Sequence, residues 1–204
     1  MGSVPDGEYF KTSVPELTKI AGVGQKEPQD TKFFCWFEED LFCQVNFWFV
    51  LNSLAKQSQI NPLYFVRPKK GCEYSCAHMS KDELVTAYEK CTLIPQAELE
   101  ILAKFWPCYQ LQKFDEMLAL YLLLPPQWRF LKVVINAQID RAPDENGFGR
   151  AERTLIQIMN ELNSQEFGTV FREFMKREAI YSFGDLQVKR MFDDLCKNNR
   201  ELLC

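Results

Sequence analysis

The spacing of apolar positions divides the chain into four stretches, 1–30, 31–79, 80–140 and 145–204. The first holds three Pro, four Gly and one short apolar grouping, Val14, Leu17 and Ile20, which predicts a loose segment with one short helix. From Thr31 the texture changes. Lys32 to Phe37 is a strand-like apolar run, Leu41 to Lys56 is apolar nearly all round, and Leu63 to Val66 is a second short strand ended by Arg67-Pro68. This order predicts a βαβ element, because parallel strands need a crossover and its helix, apolar on most sides, has to be covered.

Residues 67–79 form a connection, after which the period is helical. Ser80-Lys-Asp-Glu83 is a capping box that starts a helix with Leu84, Val85 and Tyr88 inward. Pro95 suits a first helical position, and Leu99, Leu102, Ala103 and Trp106 continue until Pro107 forces a kink or stop. Phe114 to Leu122 and Trp128 to Ile139 are two further helices, separated by Pro125-Pro126. Residues 140–149, rich in Pro, Gly, Asp and Asn, read as a linker. Three amphipathic helices follow, centred on Leu155–Leu162, Phe167–Met175 and Val188–Leu195, with the connector 178–184 open to a brief extended segment. The fold class expected is α/β plus mainly helical: a small Rossmann-like βαβ element, a helical middle and a trihelical, winged-helix-like C-terminal unit.

Composition narrows the function. The net charge is −4 over 204 residues, and from Gly149 to Asn199 eight basic residues face eight acidic ones, so phosphate-driven nucleic-acid binding is not expected. Seventeen Phe point to an aromatic core. The most apolar stretch, Leu41 to Leu54, is interrupted by Gln44, Asn46, Asn52 and Ser53, which disfavours a membrane span. Asp6 and Glu8 stand where a signal peptide would be basic or apolar. A cytoplasmic setting follows, and with it eight reduced cysteines rather than disulfides.

Candidate chemistry is sparse. Glu38, Glu39 and Asp40 follow the first strand, where ligands sit in open α/β sheets. Asp40 and Gln44 are one helical turn apart, and Arg67 ends the second strand at the same edge, so Glu38, Asp40, Gln44 and Arg67 form a candidate ligand site. Two carboxylates there suit a hard cation or acid–base work. The competing explanation is that Asp40 caps the helix, Glu39 favours its positive end and Glu38 pairs with Arg67. Cys72, Cys76 and His78, a C-x3-C-x-H run, have zinc-ligating side chains; with His78 the sole histidine and no second C-x2-C, they read as buried or incidental cysteines. No Gly-rich phosphate loop, nucleophile elbow or H-E-x-x-H motif occurs. Gly147-Phe-Gly149 before a helix reads as turn chemistry rather than an anion cradle.

Three stretches together carry a resemblance: Trp36 to Asn46, Gly149 to Thr154 and Phe183 to Gln187. They resemble the bacterial family known as domain of unknown function 1835, with its companion C-terminal domain, over about residues 31–70 and 145–199. Members usually begin with a further α/β portion bearing Asn-Gly-Asp, which has no match here, so the chain reads as a truncated or divergent member. The resemblance implies kinship of fold and no activity or cofactor. The sequence thus favours an intracellular binding or regulatory protein, with a protein or small-ligand partner. The alternatives are an enzyme that uses the acidic strand-end motif on a metal or small ligand, and a nucleic-acid-binding regulator acting through the C-terminal unit.

Overall fold

The computed structural model describes residues 31–57 and 61–198, with two isolated helical positions at 11 and 15. The short helix expected within 1–30 lies outside the described residues, as does Cys204. The chain forms two compact units that it enters more than once: Met1–Phe37, Val45–Arg67 and Ser80–Leu124 make the first, and Glu38–Gln44, Pro68–Met79 and Pro125–Cys204 the second.

In the first unit, β1 (Phe33–Trp36) and β2 (Leu63–Val66) pair in parallel, Phe33 beside Leu63 and Cys35 beside Phe65. Helix α1 (Leu41–Leu54) connects them, so the βαβ element is present. A third strand, β3 (Thr92–Leu93), pairs antiparallel with β2 and makes a mixed sheet. Two residues are too short to show a period, which is why the sequence did not reveal it. Phe47 on α1 packs between Phe37 and Phe65, with ring centroids at 4.9 and 5.1 Å. Among the described phenylalanines Phe47, Phe65, Phe105, Phe174 and Phe192 are buried and most of the others are half-buried, so the aromatic excess is core only in part.

Helix α2 (Lys81–Glu89) begins at the expected capping box: Ser80 accepts the Glu83 amide and Glu83 accepts the Ser80 amide. Pro95 is the residue before α3 (Gln96–Ala103) rather than its first position. The expected break at Pro107 falls earlier, between α3 and α4 (Phe105–Gln110). Proline has no N–H, so the carbonyl four residues back loses its helical donor. That carbonyl is Ala103, and Asn52 Nδ2 donates to it at 2.9 Å. Asn52→Ala should therefore cost about 1–3 kcal/mol, the range for an orphaned buried acceptor, as read by urea unfolding. A loss under about 0.5 kcal/mol would show that another donor serves Ala103. Helix α5 (Phe114–Leu122) completes the unit.

The second unit contains α6 (Leu131–Ile139), α7 (Arg150–Leu162), α8 (Phe167–Arg177) and α9 (Asp185–Asn198), which bury Val134, Leu155, Ile158, Val170, Phe174 and Val188. The trihelical end is as the periodicity indicated. Its connector differs: Ala179–Tyr181 is a single 3-10 turn, with Tyr181 stacked on Phe183 at 4.9 Å, and not an extended segment. Among the described residues all strands lie within 33–93. Residues 140–149 lie inside this unit, tied down by Asp144, whose Oδ1 accepts the Asn146 and Phe148 amides. Gly149 allows the Arg141 carbonyl to come close; a Cβ there would stand 2.6 Å from its oxygen. The Arg150 amide at the start of α7 donates to Asp140 O at 2.8 Å, so that donor is already used within the fold.

Candidate functional site

The segment between β1 and α1 belongs to the second unit from Glu38 to Gln44. Asp40 precedes α1 and is fully buried. Its Oδ1 accepts the Cys43 amide at 2.9 Å, the hydrogen bond of a helix N-cap, and its Oδ2 is buried with no hydrogen-bond partner. Gln44, one turn on, is equally buried; Nε2 donates to Glu38 O at 2.7 Å and Oε1 has no partner. Glu38 Oε1 accepts the Cys76 amide at 2.6 Å from the 68–79 connection. One ligating atom each from Glu38, Asp40 and Cys43 lie within 4.8 Å of one another.

Helix-start chemistry explains half of this arrangement. It accounts for Asp40 Oδ1, but a cap needs one oxygen only. Asp40 Oδ2 and Gln44 Oε1 are two further acceptors removed from water with no donor supplied, each a cost of about 1–3 kcal/mol. Two such acceptors beside a second carboxylate make a place for positive charge, either a proton held on Asp40 or a cation.

The titration properties agree. Burial, opposed by the Cys43 cap and reinforced by Glu38, holds the Asp40 carboxyl above the usual range. The folded state therefore binds the Asp40 proton more tightly than the unfolded chain does. The stability this gives is present at low pH and lost as pH rises through the folded value. Burial, then Asp40, pushes the Cys43 thiol up to about 12. Burial, then Glu38, pushes Cys76 up to about 11. Without a cation these thiols stay protonated and are poor nucleophiles. A cation in their midst would reverse both effects, because it favours the thiolates and the carboxylate.

The structure thus brings Glu38, Asp40 and Gln44 together within the second unit, whereas Arg67 is an exposed residue of the first. Cys76 reaches Glu38, with Cys72 close enough to affect its thiol, while His78 is exposed on the 3-10 turn Cys76–His78. Sequence reasoning missed Cys43, which it did not single out among the eight cysteines. Its signal was the three-residue spacing from Asp40, which returns a side chain to the same face. Glu39 is buried, and its amide donates to Glu73 O at 2.8 Å.

In the trihelical end Lys189 pairs with Asp193, and Arg177 with Glu161 and Glu173. Among the described residues no helix is long and apolar enough to cross a membrane, and the seven described cysteines are unpaired. The chain matches no protein-family model, no curated protein and no solved structure.

Proposed function

We propose that this is a binding protein whose strand-end motif holds one divalent cation, with Glu38 and Asp40 as its carboxylate ligands. The observation that carries this reading is the pair of fully buried, unpartnered oxygens, Asp40 Oδ2 and Gln44 Oε1, beside Glu38. A cation satisfies such acceptors where no donor does. It also turns the repulsion of two carboxylates into attraction to a shared charge. The local pairing of Lys189 and Arg177 supports protein or small-ligand partners over nucleic acid. Kinship with the domain of unknown function 1835 family, the winged-helix likeness and an intracellular setting are part of the same proposal, resting on the three sequence stretches and the unpaired thiols.

Thermal unfolding of metal-free protein tests it. Added zinc, manganese, magnesium or calcium at about 100 times Kd should stabilise the parent by about 2.7 kcal/mol, a rise of roughly 5–11 °C for a chain of this size. Asn caps about as well as Asp. Asp40→Asn should therefore melt higher than the parent without metal, by a margin that grows with pH, and should not respond to metal. A parent indifferent to all four cations would overturn the proposal, as would an equal response in Asp40→Asn.

A further inference from the structure

Helices α4 and α5 are joined by a tight turn whose form the backbone sets. The Leu111 amide donates to Pro107 O at 3.1 Å and the Lys113 amide to Cys108 O at 2.9 Å, with Gln112 in the left-handed region at φ 54°. Lys104, Pro107, Cys108 and Leu111 recur at i, i+3, i+4 and i+7, and Glu116, Leu120 and Leu123 at i, i+4 and i+7, so each set shares one face of its helix. Together they line a groove of about 540 Å³ that lies wholly within the first unit. Phe105 on α4 and Met117 on α5 are fully buried and do not line it, so both helices have a separate core face. Leu111 and Leu123 remain 67% exposed, two large apolar side chains of one groove that folding leaves uncovered.

The charges of the groove do not cancel. Lys113 Nζ pairs with Glu116 Oε1 at 2.8 Å, and Cys108 Sγ donates to Glu116 Oε2 at 3.8 Å, so both Glu116 oxygens are engaged. Among the described residues the Lys104 ammonium has no hydrogen bond or ion pair. Two lysines against one glutamate leave one positive charge beside apolar walls. We propose that this groove binds a medium-chain carboxylic acid, whose carboxylate pairs with Lys104 and whose chain covers Leu111, Leu120 and Leu123. Sites for small molecules measure about 300–1,000 Å³ and are mostly apolar with a few polar groups, which this groove matches in size and lining. A monoanion balances the single unspent cation. A dianionic head such as a phosphate monoester would meet Glu116 with one charge left over, and a neutral chain would leave Lys104 without a partner. The stem of Lys104 extends the apolar wall while its ammonium stays at the water side, the arrangement an amphiphile needs. The groove and its ligand are independent of the cation reading, which concerns residues of the second unit.

Sodium decanoate titrated into the full chain, below the concentration at which it forms micelles, should bind one molecule per chain by calorimetry and shift backbone amides centred on residues 104–123. Each step from hexanoate to octanoate to decanoate should tighten binding at least about 3-fold, because two further methylenes leave water. Decanamide, the uncharged analogue, should bind the parent about 2- to 5-fold more weakly than decanoate, the range for one exposed ion pair, and Lys104→Met should abolish that preference. Leu123→Gln should weaken decanoate about 5-fold or more, whereas Leu122→Gln, equally exposed on the same helix but outside the groove, should leave it unchanged. Both are exposed positions, so both variants should fold as the parent does; the chain-length and decanamide series need no variant at all. No saturable binding, amide shifts centred elsewhere, no preference for decanoate over decanamide, or equal affinity in Leu123→Gln and Leu122→Gln would overturn the proposal. A parent that sediments as a dimer and becomes a monomer in Leu123→Gln would also overturn it, by showing that a second copy fills the groove.

Discussion

Glu178→Ala should destabilise the second unit by about 3 kcal/mol, one of the two largest losses expected from a single change in this chain. Glu178 ends α8 and is buried, with a relative exposure of 4%. Its Oε1 accepts Thr154 Oγ1 at 2.7 Å and Arg150 Nε at 3.1 Å, while Oε2 lies 3.0 Å from the same Nε. Arg150 also reaches Asp140 Oδ2 at 3.3 Å and lies over the Tyr181 ring at 5.8 Å. One carboxylate therefore joins α7 and α8 beside the 3-10 turn. Alanine leaves the Thr154 hydroxyl without its acceptor and Arg150 with only its more exposed partner. Removing one partner of a buried ion pair costs about 3–5 kcal/mol, and the one-third exposure of Arg150 places the expectation at the lower end. Glu178→Gln keeps the shape and one acceptor, so it should lose about half as much. Urea unfolding followed by near-ultraviolet circular dichroism checks both. A loss below about 1 kcal/mol for the alanine variant would mean the network contributes only as an exposed pair would.

Phe47→Ala should cost about 3–5 kcal/mol in the first unit, the range for emptying a buried phenylalanine site. Phe47 is fully buried and bridges the end of β1 to β2 through Phe37 and Phe65. Both neighbours are large rings, and Phe65 sits on backbone fixed by pairing with Cys35, so the cavity cannot readily collapse. Phe47→Leu keeps most of the volume and should cost under about 1.5 kcal/mol. If the two variants unfold at the same denaturant concentration, the ring stack is not what holds α1 on the sheet.

The regular elements were legible because each carries a local signal. Apolar runs mark β1 and β2, the Ser80–Glu83 box marks α2, and Pro107 marks the interruption after α3. What escaped has no local signal. β3 is two residues long, and the 3-10 turn at Ala179–Tyr181 has an apolar texture that an extended segment shares. Periodicity cannot show a chain crossing five times between two units, because it reports which face is buried and not against what. The candidate site divides the same way. Glu38, Asp40 and Gln44 were visible as strand-end and helix-turn neighbours. Cys76 joins them only through folding of the connection, and the unpartnered oxygen of Gln44 is a property of the packed state.

The central claim is that Glu38 and Asp40 hold a divalent cation, and the most direct measurement is stoichiometry. Metal-stripped parent protein and a Glu38→Gln, Asp40→Asn double variant are dialysed to equilibrium against zinc, and metal and protein are quantified after a rapid desalting step. One ion per chain in the parent and none in the double variant is the expected result. A parent that retains no zinc, or a folded double variant that retains as much as the parent, would contradict it and leave the acidic triplet as helix-start chemistry alone.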